Sequence, residues 1–118
     1  MNDCFYEDNI LNIGDIKIAV KYYIKKVEKI KNKFIILLKI PHVELGTDEL
    51  NNVLCYDEKG EMQWRISDKL PSSIISDEQI PYVAIQIIDD KLYVTDFWGR
   101  KFSVDTQNGN LIDVKIVH

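Results

Sequence analysis

An all-β domain is the fold class this sequence predicts, and three observations carry the expectation. One strand pattern occurs twice, at residues 24–66 and 82–116. Turn residues recur at matching places in the two copies. Ile is plentiful while Gly and Pro are few, and side chains branched at Cβ pack well on a pleated surface. With 118 residues, 46% hydrophobic and 29% charged, the chain is expected to be a single globular domain, 1–118, with its own core.

The first copy reads IKKVEKIKNKFIILLKI from Ile24 to Ile40, and the second YVAIQIIDDKLYVTDFW from Tyr82 to Trp98. Laid together without a gap, Ile24 meets Tyr82, Val27 meets Ile85 and Ile30 meets Ile88. Further on, NVLCYDEKGEM meets KFSVDTQNGNL, so Asp57 falls on Asp105, Gly60 on Gly109 and Met62 on Leu111. Each copy therefore reads as a meander of four strands. Its first turn is Asn32-Lys33 or Asp90-Lys91, and its third runs from Asp57 to Gly60 or from Asp105 to Gly109. Asp at the start of such a turn accepts backbone N–H bonds, and Gly near its end supplies the positive φ that closes it.

Side chains alternate faces along a strand. Leu54 and Tyr56 match Phe102 and Val104, which gives the core face; Val53 and Cys55 match Lys101 and Ser103, which gives the outer face. On the fourth strand the copies drift. Met62, Trp64 and Ile66 alternate, whereas Leu111 is followed by Ile112, Val114 and Ile116, an insertion that a bulge absorbs. The two meanders are expected to bury their apolar faces against each other, with a hairpin of residues 9–20 turning at Gly14-Asp15 and covering an edge.

A helical period competes in residues 16–30, where Ile16, Val20, Tyr23, Val27 and Ile30 follow a possible N-cap at Asp15. The alternative fold is α+β with a helix there. The match of residues 24–30 to the strand-like YVAIQII favours strand. Two connectors remain: a loop of residues 41–51, replaced in the second copy by Trp98-Gly99-Arg100, and a linker of residues 67–81.

The second copy resembles a blade of the quinoprotein-type β-propeller repeat, through Leu92–Val94, Gly99, Phe102–Asp105 and Gly109. The first copy is similar through Asn52–Asp57, Gly60 and Trp64. The whole is also similar to small bacterial proteins with this twin-meander pattern. The resemblance implies blade-like four-stranded meanders. It implies no ring, because closure takes about four to eight blades, and it carries over no quinone site.

Charge and chemistry narrow the function. The net charge is −4, so nucleic acid is not expected as a partner. The lysines crowded between Lys17 and Lys39 read as a solvated face. The opening MNDCFYEDNI lacks the basic-then-apolar order of a secretory signal, and no apolar run approaches the ~20 residues that span a bilayer. A cytoplasmic protein with two free thiols, Cys4 and Cys55, is expected, with no membrane partner. His42 and His118 form no metal-ligand spacing with each other or with the cysteines, so neither metal, cofactor nor catalytic residue is assigned. Among the aromatics, Trp98 stands out beside Gly99 and Arg100 in a tight turn, since Trp and Arg are the pair enriched at interface hot spots. Glu44, Asp48 and Glu49 lie in a loop longer than its connection requires. The sequence thus points to a non-catalytic protein–protein interaction domain, one version being a small acidic inhibitor such as a toxin-immunity protein. The alternatives are a domain that binds a small ligand or carbohydrate, and an enzyme with an unrecognised site.

Overall fold

A computed structural model describes residues 4–40, 50–67 and 80–116. Among these the backbone forms eleven strands in three antiparallel sheets. The N-terminal sheet holds β1 (Cys4–Glu7), β2 (Ile10–Ile13) and β3 (Ile16–Ala19). The central sheet holds β4 (Ile24–Ile30), β5 (Lys33–Leu38), β6 (Val53–Asp57) and β7 (Met62–Arg65). The C-terminal sheet holds β8 (Tyr82–Ile88), β9 (Lys91–Asp96), β10 (Arg100–Val104) and β11 (Leu111–Ile116). Strands neighbour one another in chain order throughout. Among the described residues no helix is long and apolar enough to cross a membrane.

The helical period of residues 16–30 is not used. Residues 16–19 form β3 and residues 24–30 form β4, with a non-helical link between them, and β4 pairs along its length with β5. Burial against neighbouring sheets outweighs the local preference for helix. The hairpin at Gly14-Asp15 forms as expected, and β1 adds a strand in front of it.

The two meanders agree in their irregularities as well as their order. The first pair of strands skips Lys25 in one and Val83 in the other. The last pair skips Gln63 in one and Ile112 in the other. The drift read on the fourth strand is therefore a bulge shared by both copies. Met62 and Leu111 oppose Tyr56 and Val104, while Trp64 and Asp113 oppose Cys55 and Ser103. The first turns fall one residue earlier than the sequence suggested. Their positive φ lies at Lys31 (55°), and at Asp89 (51°) and Asp90 (61°), the left-handed conformation that two-residue hairpins demand.

Packing corrects the expected faces. Leu54 and Tyr56, with Phe34, Ile36 and Leu38, pack on Leu11, Ile13 and Val20 of the N-terminal segment. Val53 and Cys55 do not lie on an outer face. They join Ile35, Leu37 and Trp64 in a second core against Tyr82, Ile85, Leu92, Val94, Phe102 and Val104. The meanders thus stack in one direction, each turning its Leu54 or Phe102 face to the sheet before it. The reason is visible in Phe34–Leu38, an unbroken apolar run with no polar alternation, which marks a strand buried on both faces.

Turns lock the layers. Gly109, at φ 77°, sits where a Cβ would come 2.5 Å from Trp64 Cε3. Trp64 Nε1–H and Lys33 Nζ both donate to Thr106 O at 2.8 Å, and Ser67 N–H donates to Gly109 O at 2.9 Å. Gly60 occupies the matching position on the sheet before, with a Cβ placed 2.8 Å from Ile16 Cγ2. Asn52, fully buried, holds the opposite end. Its Nδ2 donates to Leu38 O and Tyr82 O, and its Oδ1 accepts from Tyr82 N–H.

Gly109→Ala is expected to cost about 2–4 kcal/mol, because a positive φ and a collision with an indole and the Arg65 carbonyl act together. Gly60→Ala should cost less, since the methyl arms of Ile16 and Ile18 can turn aside. Urea denaturation of the two variants checks the order.

Burial pushes the Cys55 thiol up to about 11. The folded state then holds this proton after the unfolded chain has lost its own. Stability should fall as pH rises from about 9 towards 11, and Cys55→Ala should flatten that slope. In the same experiment a thiol reagent should leave Cys55 unlabelled until denaturant is added.

Candidate functional site

The Trp98 turn joins β9 to β10, at the end of the stack where the central sheet receives its long connection from Leu38 to Asn52. Asp96, the last residue of β9, is only 2% exposed. Its Oδ1 accepts N–H bonds from Trp98 at 3.0 Å and Arg100 at 2.9 Å, and its Oδ2 takes the Arg100 Nε–H at 2.7 Å. Gly99, at φ 84°, donates its N–H to Asp96 O at 2.9 Å. Phe97 N–H donates to Pro81 O at 3.0 Å. Few of the turn's backbone donors are therefore left for water.

This pattern is used more than once. Asp57 Oδ1 accepts from Lys59 and Glu61 N–H, two and four residues on, as Asp96 does from Trp98 and Arg100. Asp105 Oδ1 accepts from Gln107 N–H. The Asp-to-Gly turns at Asp57 and Asp105 are expected from the sequence, whereas the one at Asp96 is an addition from the structure. The signal was present in DFWG, with Asp three residues before Gly, as in DEKG.

What the clamp presents is aromatic. Phe97 is 70% and Trp98 53% exposed. The Arg100 guanidinium lies 5.1 Å from the Trp98 ring centre and 5.8 Å from that of Phe102, within cation–π reach of both. The Arg100 side chain is largely covered and its charge is matched by Asp96, so the exposed chemistry is the indole and the phenyl ring. Beneath them Tyr82 packs edge-on to Phe102 at 6.2 Å. Its hydroxyl is buried with no hydrogen-bond partner among the described residues, and burial followed by the nearby Asp96 charge pushes its pKa far up. Tyr23, also exposed, precedes β4 at the same end, where Lys39 N–H donates to its carbonyl.

Of the residues expected to form the site, Trp98 and Arg100 are thus brought together in one turn. Glu44, Asp48 and Glu49 lie outside the described residues, as do His42 and His118. Trp64, the other tryptophan, is core. Cys55, expected as a free thiol, is buried with its thiol held protonated. Among the described residues no three His, Cys, Asp or Glu side chains come together as a metal site would need.

A second concave surface lies on the outer face of the C-terminal sheet. It is an open groove of about 470 Å³, lined among others by Lys91, Tyr93, Lys101, Ser103, Thr106 and Asp113. Lys101 Nζ sits 5.0 Å from the Tyr93 ring centre and 3.2 Å from Gln86 Oε1. The corresponding positions of the central sheet hold Ile35, Val53, Cys55 and Trp64, which another sheet covers. Polar residues here close the stack.

Fold and site together define a three-layered all-β domain that displays a rigid aromatic turn at one end. The chain belongs to the family DUF7957, a domain of unknown function, which it matches over residues 1–116. No curated protein and no solved structure matches it.

Asp96→Ala should destabilise the fold by about 3 kcal/mol or more, since it takes the carboxylate from a largely buried guanidinium and from two backbone donors. Asp96→Asn, which keeps an acceptor for the N–H groups, should lose less. Thermal melts of both variants check this.

Proposed function

We propose that this chain is a non-catalytic protein-binding domain, in which the Trp98 turn is the anchor. One observation carries the reading: two neighbouring aromatic side chains are held out into solvent by a turn that is itself fixed by a buried carboxylate. Exposed aromatics cost solubility unless they serve an interface. A turn ordered in advance also loses little entropy when a partner closes on it. Phe97 and Trp98 enter an apolar pocket of the partner, and Arg100 braces the indole from behind. Glu44, Asp48 and Glu49, which lie between β5 and β6 in the sequence, steer the approach, since rim charges act mainly on association rate.

A narrower version takes the partner to be a toxin and the chain to be its small acidic inhibitor in a bacterial cytoplasm. Small size and a net charge of −4 support it. The sheets are read here as consecutive blade-like units, a reading supported by bulges at matching places in the two meanders. A second reading, a small polar ligand on the outer groove, is favoured by the Tyr93–Lys101 pair. Substitution of Tyr93 rather than Trp98 would then abolish binding.

Trp98→Ala is expected to weaken a partner by about 30-fold, the 2 kcal/mol of a hot spot, and to leave the melting temperature nearly unchanged. A fall of several degrees in the melt would show that the indole serves the fold of its own meander, and would end the reading.

A further inference from the structure

The N-terminal sheet has three strands where the others have four, and the chain direction shows which is missing. Ile24 N–H, at the start of β4, donates to Asp8 O at 2.7 Å, so the β1–β2 turn lies at the end where β4 begins. The β2–β3 turn lies at the other end, where Gly60 closes on Ile16 and Ile18. β1 therefore runs in the direction of β5, β2 in that of β6 and β3 in that of β7. Gly60 meets β3 as Gly109 meets Trp64 of β7, so β3 fills the fourth place. The first place, held by β4 and β8 in the other sheets, has no strand among the described residues. Tyr6 spans it: its hydroxyl donates to Lys25 O at 2.9 Å, whereas in the next layer Lys25 Nζ itself reaches the matching Val83 O at 2.8 Å.

We infer that the free edge of β1 accepts an extended strand from a partner protein, antiparallel to β1, as β4 lies against β5. The occupied places state the chemistry of the occupant. β4 and β8 are seven residues long, with apolar groups at the first, fourth and seventh positions. Phe5, 58% exposed, and Tyr6, 40% exposed, flank the vacant place with apolar surface. Glu7 and Asp8 carry acidic charge at the end where such a strand begins, and Lys29 acts on Cys4 at the other end. A strand of the β4 type, with lysines at its second and third positions and glutamate at its fifth, therefore matches the charge along the edge. Affinity comes from main-chain bonds to the edge and selectivity from alternate side chains. In a two-residue hairpin the residues beside the turn bond each other, which directs the N–H and C=O of Phe5 and Glu7 to β2 and those of Cys4 and Tyr6 to the free edge.

The probe is a synthetic peptide of sequence IKKVEKI, that of β4, added to the full chain at millimolar concentration, with amide exchange followed residue by residue. The Cys4 and Tyr6 amides should slow by about tenfold, in Trp98→Ala as in the parent chain, and the same peptide N-methylated at alternate residues should have no effect. Three results would overturn the inference. The amides do not slow; they are already protected without peptide, which means the chain fills its own edge; or their protection follows protein concentration alone, which assigns the edge to a second copy.

Discussion

The central sheet is apolar on both faces, and the rest of the architecture follows from that constraint. Phe34, Ile36 and Leu38 point one way and Ile35 and Leu37 the other. Left against a single neighbour, one of those faces would meet water, at a cost of roughly 25 cal/mol for each Å² of apolar surface exposed. A sheet must therefore lie on each side. The N-terminal hairpin with its added strand supplies one layer and the second meander the other. The outer sheets need only one apolar face each. Hence Lys101, Ser103 and Asp113 stand where the central sheet has Val53, Cys55 and Trp64.

Stacking in one direction leaves strand edges near one another, and the lysines of β4 are placed accordingly. Lys25 Nζ reaches Val83 O at 2.8 Å and Lys26 Nζ reaches Ile85 O at 3.2 Å, both on the edge strand β8. Charged groups on an edge discourage unwanted pairing with other chains. The segment YVAIQII is the kind that needs this guard, being apolar, β-prone and free of charge. What reads in the sequence as a basic stripe is thus partly occupied inside the molecule, with Lys33 also bound to Thr106 O. The edge of β1 has no such guard among the described hydrogen bonds except Tyr6.

The same Asp-to-Gly turn serves two ends of the molecule. At Asp57 and Asp105 it closes the hairpins of the meanders, and Gly60 and Gly109 let those turns press against the preceding sheet. At Asp96 the same bonds, strengthened by the Arg100 guanidinium, fix a turn that meets no following sheet among the described residues. Its side chains are free to be large and apolar without burying themselves. The device that closes the meander hairpins thus also holds a turn whose Phe97 and Trp98 side chains stand exposed.

The sequence by itself determined the two meanders, their Asp-to-Gly turns at Asp57 and Asp105 and the burial of Leu54, Tyr56, Phe102 and Val104, because strand alternation and turn chemistry are local and were written twice. It also singled out Trp98 and Arg100, since an aromatic in a tight Gly turn stands out without any knowledge of neighbours. Only the tertiary structure decided which sheet each face meets. Cys55 and Ser103 share a register, yet one is core and the other borders an open groove, because among the described residues a sheet follows the first and none follows the second. A residue's own face is set by its strand, whereas the occupant opposite is set by segments far away in the chain, and one sequence position carries no record of them. Asp96 is legible as a turn residue in DFWG, with Arg100 four residues on, but its burial is a property of the layers around it.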